Sequence, residues 1–409
     1  MPSTLTWLDY SEEDRRRAVE VIKLFEEKDT VDELGIGTIR DALAEQLFPG
    51  TSVIQSRPRY FLIIPWIYLA LEAKKTPSAE VAAQARKLEL GLIEPLLVAE
   101  DHRGVLGSRA RTGLKTLPSA IYWAGLGRWS IRLFPGTRDK YHRSLDTTYR
   151  SLARMARDGT ERELADRPAP RNWHAGLPAP PDDFPEKASI QLRAIEGEYL
   201  RERVLTSAPD SLLSFLLERG KPMASIDFPW QHPQCGELPS QTAEVLHHAR
   251  LFSEAMHGAA LIYNDMLAEK RKDEELLSTY EQRLQNWAAL MAEREPALRA
   301  WDRQRFWMVV QRERARVPIT TRMFVDQWLD FGAKTGWASL SRSSAVRGLI
   351  REREVSLKRG LARLTSQRAL DLWEGASGAK QLDFRWKAVA QDVVNDITGA
   401  LQPEVGTHA

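Results

Sequence analysis

The sequence predicts a mainly α-helical protein: two helical domains joined by a proline-rich linker, with little β structure. Three observations carry this expectation. Apolar residues recur every three or four positions along most of the chain, strand-like alternation is scarce, and prolines cluster in residues 166–186. A chain of 409 residues, 43% of them apolar and 13 of them Trp, has material for more than one packed core, so general disorder is excluded. The expected division is 1–165, a linker at 166–186, and 187–409, with a sub-boundary near 296–318.

Taken in order, residues 11–28 read as a first helix, capped by Ser11 and carrying Ala18, Val21, Ile22 and Phe25 on one face. Gly35 and Gly37 precede a helix Ile39–Phe48, which Pro49 and Gly50 stop. Tyr60–Leu71 is the longest apolar stretch. It is too short to span a membrane, and its length favours a buried helix with Pro65 at a kink or first turn. Thr76-Pro77-Ser78 starts another helix, to about Val98. Beyond the proline-rich segment, helices are expected over Ser189–Val204 and Ser211–Glu218. The clearest follows over Ser240–Arg271, where Val245, Ala249, Phe252, Met256, Tyr263 and Leu267 share a face. Glu274–Arg294 pairs with it and ends at Pro296. Residues 297–316 and 321–332 continue the helical pattern. A long helix Ser339–Arg368 carries the stripe Val346, Ile350, Leu357, Leu361 and Leu364, and a last one runs from about Arg385 to Leu401.

The net charge is only +2, but it is unevenly spread. Asp9–Glu33 holds 10 acids against 5 bases. Residues 100–157 hold 12 Lys/Arg against 4 acids, with Tyr122, Trp123, Trp129, Phe134, Tyr141 and Tyr149 interleaved. Phosphate contact needs cations, and base stacking needs aromatics, so this segment is a candidate for nucleic acid. Pairing with the acidic first helix is the plainer alternative. The helix Ser339–Arg368 has eight bases and two acids, with Arg347, Arg351 and Lys358 on one side. Leu-Phe-Pro-Gly-Thr occurs twice, at 47–51 and 133–137, each time followed by bases and a tyrosine. The candidate contact residues are therefore Gln55, Arg57, Arg59, Tyr60, Arg128, Arg132, Arg138, Lys140, Tyr141, Arg347, Arg351 and Lys358.

No catalytic signature stands out. Glu72-Ala73-Lys74 with Asp41 resembles the acid-x-lysine end of a nuclease core, but the stretch before it reads as helix rather than strand. His232, Cys235, His247 and His248 lack the tight pairwise spacing of a structural zinc site, so no metal and no cofactor is expected. The glycines and lysine of Gly375–Lys380 have the wrong spacing for a phosphate loop. A single cysteine, Cys235, and an N-terminus without signal-peptide character fit a cytoplasmic protein.

The run Thr6–Ala18 (TWLDYSEEDRRRA) and then Asp32–Tyr68 (DELGIGTIRDALAEQLFPGTSVIQSRPRYFLIIPWIY) resembles the uncharacterised bacterial domain-of-unknown-function family 6361. Leu117–Trp129, His248–Glu269, Leu349–Leu364 and Leu382–Trp386 are similar to its later blocks. The resemblance implies a bacterial cytoplasmic protein from anti-phage defence islands, encoded beside helicase and phospholipase-D-like nuclease genes. It carries no catalytic residue onto this chain. The expected function is a non-catalytic accessory or adaptor protein that contacts DNA or a helicase–nuclease partner through basic helical surfaces. The alternative is an enzyme of unrecognised chemistry, such as a divergent metal-dependent nuclease.

Overall fold

The computed structural model describes residues 32–158, 171–219, 225–313 and 315–402, and the expected first helix at 11–28 lies outside them. The protein is mainly α, and among the described residues there is no strand, only an isolated bridge between Arg132 and Trp173. The helices are α1 Gly37–Leu47, α2 Tyr60–Ala73, α3 Ser78–Gly91, α4 Ile93–Val98, α5 Pro118–Arg128, α6 Arg138–Asp158, α7 Ala194–Ser207 and α8 Leu212–Arg219. They continue with α9 Ser240–Arg271, α10 Glu274–Arg299, α11 Arg303–Gln311, α12 Ile319–Thr335, α13 Ser344–Lys358, α14 Gln367–Asp371 and α15 Gln391–Ala400. No helix among the described residues is long and apolar enough to cross a membrane.

The chain divides into two compact units, and each is discontinuous in sequence. Of the described residues, the first takes Phe48–Ile226 and 385–402; the second takes 32–47 and Asp227–Phe384. The division therefore falls after Ile226 rather than in the proline-rich segment. The described part of that segment is packed on the first unit. Trp173 is buried and its indole donates to Glu72, Leu133 N donates to Asn172 O at 2.8 Å, and Trp66 donates to Pro178 O at 2.7 Å.

In the first unit α2 is the enclosed helix. Tyr60 to Tyr68 are all buried, so this helix presents apolar surface on every side and must be covered all round. Pro65 sits inside it without ending it. Its lost hydrogen bond is offset by burial of the large side chains on either side. α3 and α5 pack against it. Phe61 stacks on Trp129 with ring centroids 3.9 Å apart, and Tyr122 meets Phe61 edge-on. Gly50 closes the first Phe-Pro-Gly-Thr turn at φ +79°, where a side chain would also strike the Trp129 indole. Trp129 in turn donates to Pro49 O at 2.8 Å. In the second such turn the Gly136 carbonyl accepts from Trp123 at 3.0 Å. The first turn closes a helix and the second opens one.

In the second unit α9 is the spine and α10 lies along it. The approach is close because Gly258 faces the Trp287 ring; a Cβ there would lie 2.1 Å from Trp287 Cζ2. α10 runs through Pro296 to Arg299 instead of stopping before it, and buries Leu298 near its end. The long helix expected over Ser339–Arg368 is broken. Ser343 caps α13, which ends at Lys358, and Arg359 takes φ +50°. The cause is Glu354: its carboxylate accepts the backbone N–H groups of Arg363 at 2.8 Å and Leu364 at 2.9 Å and so folds the chain back. Leu357 and Leu361 of the expected stripe are exposed, the latter at 76%, while Val346, Ile350 and Leu364 are buried.

The segment before α1 is locked into this unit. Arg353 donates to Leu34 O at 2.8 Å and to Gly35 O at 3.2 Å. Glu33, buried, is held by Lys358, by Arg363 at 2.6 Å and by Ser377 Oγ at 2.6 Å. Tyr263 of α9 donates to Glu354 at 2.6 Å.

Gly258→Ala forces α9 and α10 apart and is expected to destabilise the protein by about 1–3 kcal/mol in chemical denaturation. Burial also holds His142, His248 and His257 neutral, each pulled down to about 4. An unfolded chain protonates these rings near pH 6.5 and the folded one does not, so stability is lost as pH falls from about 6.5 towards about 4. Glu89, Asp265 and Asp396, whose carboxyls burial pushes up, oppose this, while His174, His232 and His247 are pulled down as well and add to it. Denaturation midpoints at about pH 7 and about pH 5 are expected to differ, with the protein weaker at the lower value.

Candidate nucleic-acid interface

The twelve residues singled out in the sequence separate by burial. Gln55 is buried inside its own turn, accepting from Ser52 N at 3.1 Å and donating to Gly50 O at 3.2 Å. Arg57 is buried between Asp101 at 2.8 Å and Asp396 at 2.5 Å. Arg59 is buried against Glu196 at 2.9 Å and Ser189 O at 2.9 Å. Tyr60 lies in the core, and its hydroxyl accepts from Leu106 N. Burial pushes the phenol above its ordinary range. These four are framework, because the α2 core pulls the preceding residues inward with it. An arginine drawn inside needs carboxylates around it, and Asp101, Asp396 and Glu196 supply them.

The second group behaves similarly. Arg132 is buried, its guanidinium lying over the Trp123 ring and donating to the Phe134 and Gly136 carbonyls. Tyr141 is buried and donates to Glu72. Arg138 donates to Ser119 Oγ at 2.8 Å, and Ser119 meets both oxygens of the buried Glu89, at 2.7 Å from N and from Oγ. Arg128 is exposed and reaches Ser207 O at 3.2 Å. Arg347 is paired with Asp265 and Glu269, and Lys358 with Glu33. Lys140 in the first unit and Arg351 in the second are exposed and have no ion-pair partner among the described residues.

Lys140 belongs to a larger arrangement. On α6 it is followed by Arg143, Arg150 and Arg154 at steps of three, seven and four, so the four lie on one face. All four are exposed and none has a carboxylate partner among the described residues. The Arg143 and Arg150 side chains bond to their own helix, at Asp139 O, Asp146 O and Thr147 Oγ1. The opposite face carries Tyr141, His142 and Leu145, all buried. Tyr68 and His142 are joined at 3.0 Å, and α3 packs along the same helix. Packing therefore fixes which way the cations point. From Lys140 to Arg154 the row spans about 21 Å at 1.5 Å per residue, comparable with about six nucleotides of one strand. The sequence segment 100–157 contained these arginines, but a charge count does not separate buried cations from exposed ones. The three-and-four spacing is the signal that could have found the row.

The residues of the nuclease alternative have other duties. Tyr60–Ala73 is a helix, and Glu72 at its end accepts from Tyr141, from Trp173 at 2.9 Å and from Asn172 at 3.1 Å. Asp41 belongs to α1 in the other unit, where it pairs with Arg40 at 3.0 Å. Among the described residues no group of three or more His, Cys, Asp or Glu is placed to hold a metal ion. His248 accepts from the Trp301 indole at 2.8 Å, and His232 accepts from Gln234 N at 3.0 Å. A groove of about 450 Å³ between α12 and α13 is lined by Phe331, Leu349, Ala345, Lys334 and Glu352, and its Asp330 pairs with Arg303.

No curated protein and no solved structure matches this chain. One family does, described as "Family of unknown function (DUF6361)", over residues 2–400. Because that match covers nearly the whole length, the chain belongs to the DUF6361 family.

Proposed function

We propose that this protein is a non-catalytic, DNA-contacting component of a bacterial anti-phage defence system, and that the outer face of α6 makes the contact. The observation that supports this is the row Lys140, Arg143, Arg150 and Arg154: exposed, without carboxylate partners among the described residues, and rigidly backed by a packed face. A net charge of +2 makes such local concentration informative, since nothing about the whole chain demands it. The defence setting rests on the family resemblance and its gene neighbourhoods. A helicase or nuclease encoded nearby would supply the chemistry, and this chain would hold the DNA. The nuclease alternative draws no support from Glu72 and Asp41, since both are engaged in internal contacts.

The test is DNA binding by the purified full chain across a salt series. Binding is expected at low salt and is expected to weaken steeply as salt rises. Replacing Lys140, Arg143, Arg150 and Arg154 together by Gln is expected to lower affinity at least about tenfold and to flatten the salt dependence, with the helical circular-dichroism signal retained. Absence of binding at low salt, or undiminished binding by the fourfold variant, would sink this reading.

A further inference from the structure

The α6 surface has a second row of cations that the helix alone does not reveal. Ser78 at the start of α3 and Asp146 in the middle of α6 bond to each other twice: Ser78 N donates to Asp146 Oδ1 at 3.0 Å, and Asp146 N to Ser78 Oγ at 2.9 Å. This pins the turn between α2 and α3 against α6. The turn carries Lys74 and Lys75, both exposed and both without an ion-pair partner among the described residues. Its shape is set by the backbone: Lys75 takes φ +52° and Thr76 N returns to Leu71 O at 3.0 Å. Asp146 itself is occupied by Ser78 N, which leaves Asp139 as the other exposed acid on the basic part of the helix.

What the surface lacks is equally specific. Tyr122, Trp123, Trp129 and Tyr141 are buried. Tyr149 lies at least about 100° round the helix from each of the cations, and its hydroxyl is buried. Stacking platforms are what favour a single strand. α6 also contains neither Asn nor Gln, the side chains that read adenine in the major groove.

We propose that this surface takes the sugar-phosphate backbone of duplex DNA without reading its sequence, with α6 supplying one row of cations and the Lys74–Lys75 turn a second. This rests on the DNA-contacting reading of α6. The expected salt dependence is that of several phosphates and no bases: about four contacts from α6 give a log–log slope near −3.6, which the turn makes steeper.

The experiment is fluorescence anisotropy of the full chain with two unrelated duplexes of equal length and with an oligo-dT strand of that length. The two duplexes are expected to bind within about threefold of each other and both more tightly than oligo-dT. Lys74→Gln/Lys75→Gln is expected to make the salt slope shallower by about one to two units on both duplexes alike. A preference for oligo-dT, a difference above about tenfold between the duplexes, or an unchanged slope in the double variant overturns the inference while leaving DNA contact by α6 standing. Failure of every nucleic acid to bind removes the reading beneath it as well.

Discussion

The enclosure of α2 is the constraint on which the first unit depends. Nine consecutive residues, Tyr60 to Tyr68, are buried, so over this stretch no face of the helix is left to meet water. At roughly 1.5–3 kcal/mol for each large apolar side chain, covering it outweighs the cost of bringing two arginines inside next to it. Arg57 and Arg59 immediately precede the helix, and each is neutralised by acids from distant parts of the unit: Asp101, Asp396 and Glu196. Those ion pairs draw residues 101, 196 and 396 to the start of the same helix. The chain from Arg385 onward belongs to this unit for that reason and because α15 packs on α7 and α8.

The second unit is organised by a comparable device. Its buried carboxylates include Glu33 and Glu354, to which the cations Lys358 and Arg363 come, and it also buries Arg353. Glu354 also ends the straight run of α13 by accepting two backbone donors from residues 363 and 364. In both units much of the basic character of the sequence is spent on internal pairing. Other cations remain outward, and on α6 they are ordered by the burial of the opposite face.

This explains what could be read in the sequence and what could not. The period of apolar residues located α9 to the residue, because thirty-two positions of one pattern leave little freedom. It also located α2, where length alone decided between helix and strand. It failed at α13, because the apolar spacing continues past the break and the stop is made by a side chain nine positions before the residue it captures; Gly360, just beyond Lys358, is the one local signal. Proline content identifies a segment that is neither helix nor strand, but such a segment can pack as a strap, as Trp173 and Asn172 do. Of the candidate contact residues, the sequence named Lys140 and passed over Arg143, Arg150 and Arg154. An arginine beside a buried helix and an arginine on an exposed one look alike in composition, and only the packing partner tells them apart.

The central claim is that the cations before α2 are internal and those on α6 are offered to DNA. Arginine-selective chemical modification, mapped by mass spectrometry with and without duplex DNA, tests both halves at once. The account predicts that Arg57 and Arg59 stay unreactive in either condition, and that Arg143, Arg150 and Arg154 react in free protein and are protected by DNA. Protection that appears elsewhere while these three remain reactive would contradict it.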